Sequence, residues 1–185
     1  LPIPAGQVQL NVILDHPDTS VPSQTPASMQ KLYAGAPLAS PIGGSYDSAG
    51  NLYVVNSSDR KVIRIAPNGV AHVLATLPTT LSSFSVIPRD VRVDALDNVW
   101  ILNTTRLMIK IRPDGSMSHV VTGITTQRQF DFDATGNAYV LGSNINGQSG
   151  NGLMRVTPSG SVSTLVSNGL ASPVGMVADG DGHFV

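Results

Sequence analysis

The chain has 185 residues, a net charge of −1 and only 12% charged residues, about half the charged share of an ordinary globular domain. That balance removes the electrostatic case for nucleic acid or an anionic membrane surface as partner. There is no cysteine, hence no disulfide framework, thiolate metal site or cysteine nucleophile, and no apolar run approaches the roughly 18 residues of a membrane span.

Every acidic residue is Asp, while Val, Ile, Thr and Gly are plentiful, which argues for strands joined by tight turns. From the N-terminus, Gln7 to Leu14 (QVQLNVIL) reads as a strand and His16 to Pro26 (HPDTSVPSQTP) as a Pro-rich loop or linker. Gln30 to Gly35 follows as another strand. Then DSAGNLYVV begins at Asp47, and it returns as DALDNVWIL at Asp94, DATGNAYVL at Asp133 and DGDGHFV at Asp179. A second landmark keeps the same phase: PNG at Pro67, PDG at Pro113, PSG at Pro158. Two landmarks in phase, roughly 40 to 50 residues apart, are the signature of a repeat architecture.

Each copy reads in the same order. Asp-x-x-Gly-Asn, or its variant, is a turn in which Gly supplies positive φ. Leu-Tyr-Val-Val, Val-Trp-Ile-Leu and Ala-Tyr-Val-Leu are short buried strands. A polar loop follows. KVIRIAP, LMIKIRP and LMRVTP alternate apolar and basic residues, as half-exposed strands do. The Pro-x-Gly turn then opens a last strand: VAHVLA, MSHVVT or VSTLVS. Four antiparallel strands per copy make one blade, and the expected fold is all-β: a β-propeller of three whole blades plus two part-blades. The aromatic slot, Tyr53, Trp100 and Tyr139, is expected to pack between blades. The expected division is 1–38 (strand, linker and the last strand of a preceding part-blade) and 39–185 (repeats 39–77, 84–124, 125–170 and a partial 171–185).

SPIGGSYDSAGNLYVVNSSDRKVIRIAPNG and VRVDALDNVWILNTTRLMIKIRPDG resemble the NHL-repeat type of β-propeller, over roughly residues 39 to 185. The resemblance implies an Asp after the Tyr-Val strand; here Asn56, Asn103 and Gly142 stand there instead. ASPIG at Ala39 and ASPVG at Ala171 place the two part-blades in matching phase. They are expected to be completed by each other, by a neighbouring copy or by further chain, because an open arc leaves unpaired strand edges. The start at Leu1 is read as a removed leader or as a part of something longer.

Functional sites on propellers gather at the channel and one rim. Two sets of loops supply that rim: those before each innermost strand, and those between the second and third strands. The ligand-binding candidates are therefore Arg89, Asp90, Arg92, Arg128, Gln129 and Asp131 from the first set. The second set adds Asn56, Asn103, Asn144 and Asn146. The third copy's polar loop, GSNINGQSGN, is longer; it reads either as a recognition segment on a rigid scaffold or as a variable insertion without a partner. Asn56-Ser57-Ser58 and Asn103-Thr104-Thr105 match glycosylation sequons.

General similarity to gluconolactonase-like propellers implies a divalent ion held by carboxylates including a Glu. Similarity to streptogramin-lyase-type propellers implies a His and Glu pair near a metal. Neither set is present, the four histidines are dispersed, and no metal or other cofactor is expected. The main reading is a non-catalytic, secreted or periplasmic module that binds a protein or self-associates through blade edges. Nucleic acid and a membrane span are not expected. The alternative is a hydrolase or lyase of the gluconolactonase or streptogramin-lyase propeller type, with part of its site outside this sequence.

Overall fold

A computed structural model describes residues 37–177 of the chain. The expected strands at 7–14 and 30–35, the linker at 16–26 and the turn at Asp179 lie outside the described residues. Those described are all β: three four-stranded antiparallel sheets and one two-stranded hairpin. The first blade runs β1 (Pro41–Tyr46), β2 (Leu52–Asn56), β3 (Lys61–Ile65) and β4 (Ala71–Thr76), each strand paired to the next. A small hairpin, β5 (Thr80–Leu81) and β6 (Phe84–Ser85), leads into the second blade. That blade is β7 (Pro88–Val93), β8 (Val99–Asn103), β9 (Leu107–Ile111) and β10 (Met117–Val121). The third is β11 (Ile124–Phe132), β12 (Ala138–Ile145), β13 (Gln148–Val156) and β14 (Val162–Val166). First strands meet first strands: β7 packs against β1 on one side and β11 on the other, as innermost strands around a channel do.

The core lies between blades. Val55 and Val62 of the first blade pack with Val91, Ile101 and Ile109 of the second. Trp100, Leu102 and Met108, on the opposite face of the second blade, pack with Phe130, Val140 and Met154 of the third. Strand alternation sends successive residues to these two faces. Every residue of β8 is buried because β8 has a blade on each side. Each fully buried Val, Leu or Ile contributes about 1.5–3 kcal/mol.

The recurring Asp is a clamp. Its Oδ1 accepts the backbone N–H groups two and four residues on: Ala49 (3.0 Å) and Asn51 (2.8 Å) on Asp47, Leu96 (3.0 Å) and Asn98 (2.9 Å) on Asp94, Thr135 and Asn137 (both 2.9 Å) on Asp133. Its Oδ2 accepts the Asn side-chain amide. The same oxygen accepts a hydrogen bond from the aromatic six residues on: Tyr53 OH at 3.0 Å, Trp100 Nε1 at 2.8 Å, Tyr139 OH at 3.1 Å. The motif thus fixes a turn, a strand start and a buried aromatic with one carboxylate. Opposite each aromatic, one strand over, stands a cation: Arg64, Lys110 or Arg155. Lys110 Nζ sits 5.0 Å from the centre of the Trp100 ring, within cation–π range.

The second copy departs from Gly at the turn. Asp97 takes the positive φ of 58° that Gly50 and Gly136 take elsewhere, and Asp tolerates that region. Its carboxylate accepts Ser48 N at 2.9 Å and Ser48 Oγ at 2.7 Å, tying the first blade's turn to the second's. The Pro-x-Gly landmarks are turns closed by Gly69, Gly115 and Gly160, at φ 82°, 83° and 91°, each a tight turn followed by a left-handed residue.

The third blade corrects one expectation. GSNINGQSGN is not an irregular loop, because β12 and β13 simply run on through it to a two-residue turn at Asn146-Gly147. Both turn residues have positive φ, 49° and 80°, the pairing that a right-twisted hairpin favours.

Two outcomes follow from the clamp. Asp94→Ala removes the acceptor for Trp100 Nε1 and both Asn98 donors, and is expected to lower stability by about 2–3 kcal/mol. Asp97→Gly relieves the backbone while losing only exposed bonds and is expected to stay within about 1 kcal/mol of the parent. Denaturant titration of both variants checks the contrast. Burial pushes the Asp133 carboxyl up, but hydrogen bonds from Asn137, Thr135 and Tyr139 outweigh it and hold the pKa at about 2 instead of 3.8. The folded state therefore binds fewer protons in that window, and the clamp's contribution, complete above 3.8, is lost as pH falls toward 2. Thermal unfolding followed from pH 5 to pH 2 is expected to show a smaller acid-side loss in Asp133→Asn than in the parent.

Candidate functional site

A β-bulge sits near the same end of each innermost strand. The register slips between Ile42 and Gly44 on β1, between Pro88 and Asp90 on β7, and between Gln127 and Gln129 on β11. Two residues then face one across the ladder, which turns side chains aside at a strand end. The bulged pairs are Ile42–Gly43, Arg89–Asp90 and Arg128–Gln129. The repeat puts Val174–Gly175 at the equivalent place after the third blade.

These pairs converge. Ile42, Arg89, Asp90, Arg128, Gln129 and Val174 border one cavity of about 330 Å³, which Pro88, Ser57 and Thr104 complete. Glycine at the bulge makes room for a neighbour: a Cβ on Gly43 would stand 2.7 Å from Asp90 Oδ1, and one on Gly175 2.7 Å from Gln129 Oε1. Gln129 also grips the following segment, with Nε2 donating to Met176 O and Oε1 accepting Met176 N, both at 3.2 Å. Arg89 Nε donates to Arg128 O at 3.0 Å, so two arginines from adjacent blades share one rim.

Asp90 lies deeper. Its Oδ1 accepts Arg92 Nη1 and Val91 N, each at 2.9 Å. Burial nevertheless raises its pKa above the ordinary carboxylate value; the Arg92 charge and the Val91 N–H pull the other way, and the Asp131 charge adds to the rise. Asp131 accepts its own strand's Phe132 N at 3.0 Å.

The structure thus brings together Arg89, Asp90, Arg128 and Gln129, with Arg92 behind Asp90. It uses the other candidates differently. Asn56 and Asn103 are fully buried at the ends of β2 and β8. Asn56 Nδ2 donates to Pro37 O, and Asn103 Nδ2 to Ser85 O and Thr105 O, while Asn103 Oδ1 accepts Ile87 N. They staple the rim backbone, and both sequon amides are engaged there. Asn144 and Asn146 belong to the extended hairpin and do not border the cavity. Asn146 Nδ2 reaches outward to Thr164 Oγ1 at 3.1 Å. The apolar members Ile42 and Val174 escaped the sequence reading, although the matching ASPIG and ASPVG segments were the signal that could have found them.

A divalent ion of the kind implied by the gluconolactonase similarity is not matched by this side-chain set. Among the described residues no group of three or more His, Cys, Asp or Glu converges, and Asp90 is engaged by Arg92.

No protein-family model and no curated protein matches the sequence. Solved structures do match. A streptogramin B lyase superposes with a TM-score of 0.63 at 13% identity, covering 84% of this chain and 50% of the other. Virginiamycin B lyase from Staphylococcus aureus gives 0.63 at 16% identity over 82% of this chain and 50% of the other. A gluconolactonase from Xanthomonas campestris gives 0.56 at 15% identity over 74% and 49%. The chain spans about half the length of these proteins. At such identities the likeness carries the fold alone, and that fold is a β-propeller.

Proposed function

We propose that this chain forms the ligand-binding rim of a propeller enzyme, a hydrolase or lyase acting on an oxygen-rich small molecule. The observation that carries the reading is the convergence of the bulged pairs on one cavity at the channel mouth. Propeller enzymes of similar fold, named for lactones and streptogramins, support it. A cavity of about 330 Å³ is at the small end of the roughly 300–1,000 Å³ that ligand sites occupy. Asp90 is the acid–base candidate: it is the carboxylate on the cavity wall, and burial shifts its pKa toward neutrality, the direction that general acid–base catalysis needs. Arg89, Arg128 and Gln129 supply hydrogen-bond donors that position substrate oxygens.

A second reading, a binding module without turnover, draws on one observation: Asp90 is already held by Arg92 and by the Val91 N–H. The two readings part on one assay. Turnover of gluconolactone and of a streptogramin is measured for the parent and for Asp90→Asn. The enzyme reading expects turnover that Asp90→Asn lowers about a hundredfold or more. Its acid limb is expected above the 3.8 of an ordinary Asp. Ligand binding without turnover returns the module.

A further inference from the structure

At the place of the bulges the repeat aligns Ile42, Arg89, Arg128 and, after the third blade, Val174. Two arginines occupy that position on adjacent blades, with an aliphatic residue before and after them in the series, and all four border the cavity. Arg92 is matched by Asp90, but neither Arg89 nor Arg128 forms an ion pair among the described residues. Arg89 is exposed and uses its Nε on the Arg128 carbonyl, which leaves its paired Nη groups for a ligand. Arg128 is half-buried, and its Nε is fully buried with no hydrogen-bond partner. Arg60 and Arg155 also hold a buried Nε without a partner, but neither borders the cavity. A buried donor without an acceptor is costly, and both arginines border the cavity without an ion pair among the described residues. Val174, 90% exposed, gives the cavity an apolar edge.

From this arrangement we propose that Arg89 and Arg128 form a carboxylate subsite, and that the ligand is a small amphipathic carboxylate whose apolar body lies against Ile42 and Val174. A planar carboxylate suits the fork of a guanidinium. The subsite deepens the rim-site reading above and names the ligand's chemical class.

Calorimetric titration of the full chain tests it with phenylacetate, its neutral counterpart 2-phenylethanol, and inorganic phosphate. Phenylacetate is expected to bind about tenfold or more tighter than either. Arg89→Gln and Arg128→Gln are each expected to weaken phenylacetate about tenfold, with far-UV dichroism and thermal unfolding showing an intact fold. Arg112→Gln, on the exposed Pro113 turn, is the control and is expected to bind like the parent. Val174→Ser is expected to weaken phenylacetate and leave phosphate unchanged. Equal binding of acid and alcohol overturns the proposal, as does indifference to both arginine substitutions or no binding of phenylacetate. Phosphate binding as tight as phenylacetate overturns the amphipathic ligand class. Carboxylate binding without turnover sinks the enzyme reading and leaves the subsite standing; turnover without carboxylate preference does the reverse.

Discussion

One carboxylate per blade organises this chain. Asp47, Asp94 and Asp133 each accept from two backbone N–H groups, an Asn amide and an aromatic donor. The turn needs those backbone groups held because no ladder partner satisfies them there. The aromatic needs an acceptor because its polar tip enters the space between blades. A single side chain answers both needs, and so turn geometry and inter-blade packing are set together. The Trp100 slot shows the coupling: its ring contacts Phe132 of the next blade at 5.9 Å between centroids while Nε1 is held by Asp94. Ser48 to Asp97 then joins two clamps directly.

The clamp lies at the end where β1 passes to β2, and the bulges lie at the opposite end of the same inner strands. That division separates rigidity from recognition. Tyr46, next to the clamp, pairs regularly with Leu52, whereas the slip comes at Ile42 to Gly44. A bulge in a strand whose other end is pinned re-aims only the residues at the rim. It gives each blade one adjustable pair on a fixed frame, and the pairs differ in chemistry from blade to blade while the frame repeats.

The frame was legible in the sequence because it repeats. Asp, Asn, aromatic and Pro-x-Gly recur at fixed offsets, and each offset has a local physical reason. The cavity was legible in part. Arg89, Asp90, Arg128 and Gln129 came from knowing which loops reach the rim. Asn56 and Asn103 hold backbone carbonyls at their strand ends. A polar residue at a strand end looks the same in sequence whether it faces solvent or staples backbone. What decides is the preceding segment, which closes over Asn103 through Ser85 and Ile87. The extended hairpin was misread for a related reason. Ser, Asn and Gly are poor strand formers, yet the Asn146-Gly147 turn and the ladder to Gln148 impose strand on them. Tertiary pairing overrides composition there.

Arg89 and Arg128 are the place where local and global preferences disagree. Three other cations have a charge or ring partner: Lys61 lies 3.0 Å from Asp59, Arg92 2.9 Å from Asp90, and Lys110 over Trp100. Only about an eighth of the chain is charged, so placing two arginines on adjacent blades at one cavity is not a by-product of a charge-rich surface. Alternatives were structurally open, since the equivalent positions hold Ile42 and Val174. Sites that break the consistency of a fold without a structural return are where function is concentrated. Here the break is confined to the rim end of the strand, where a change of side chain leaves the rest of the ladder and the clamp untouched.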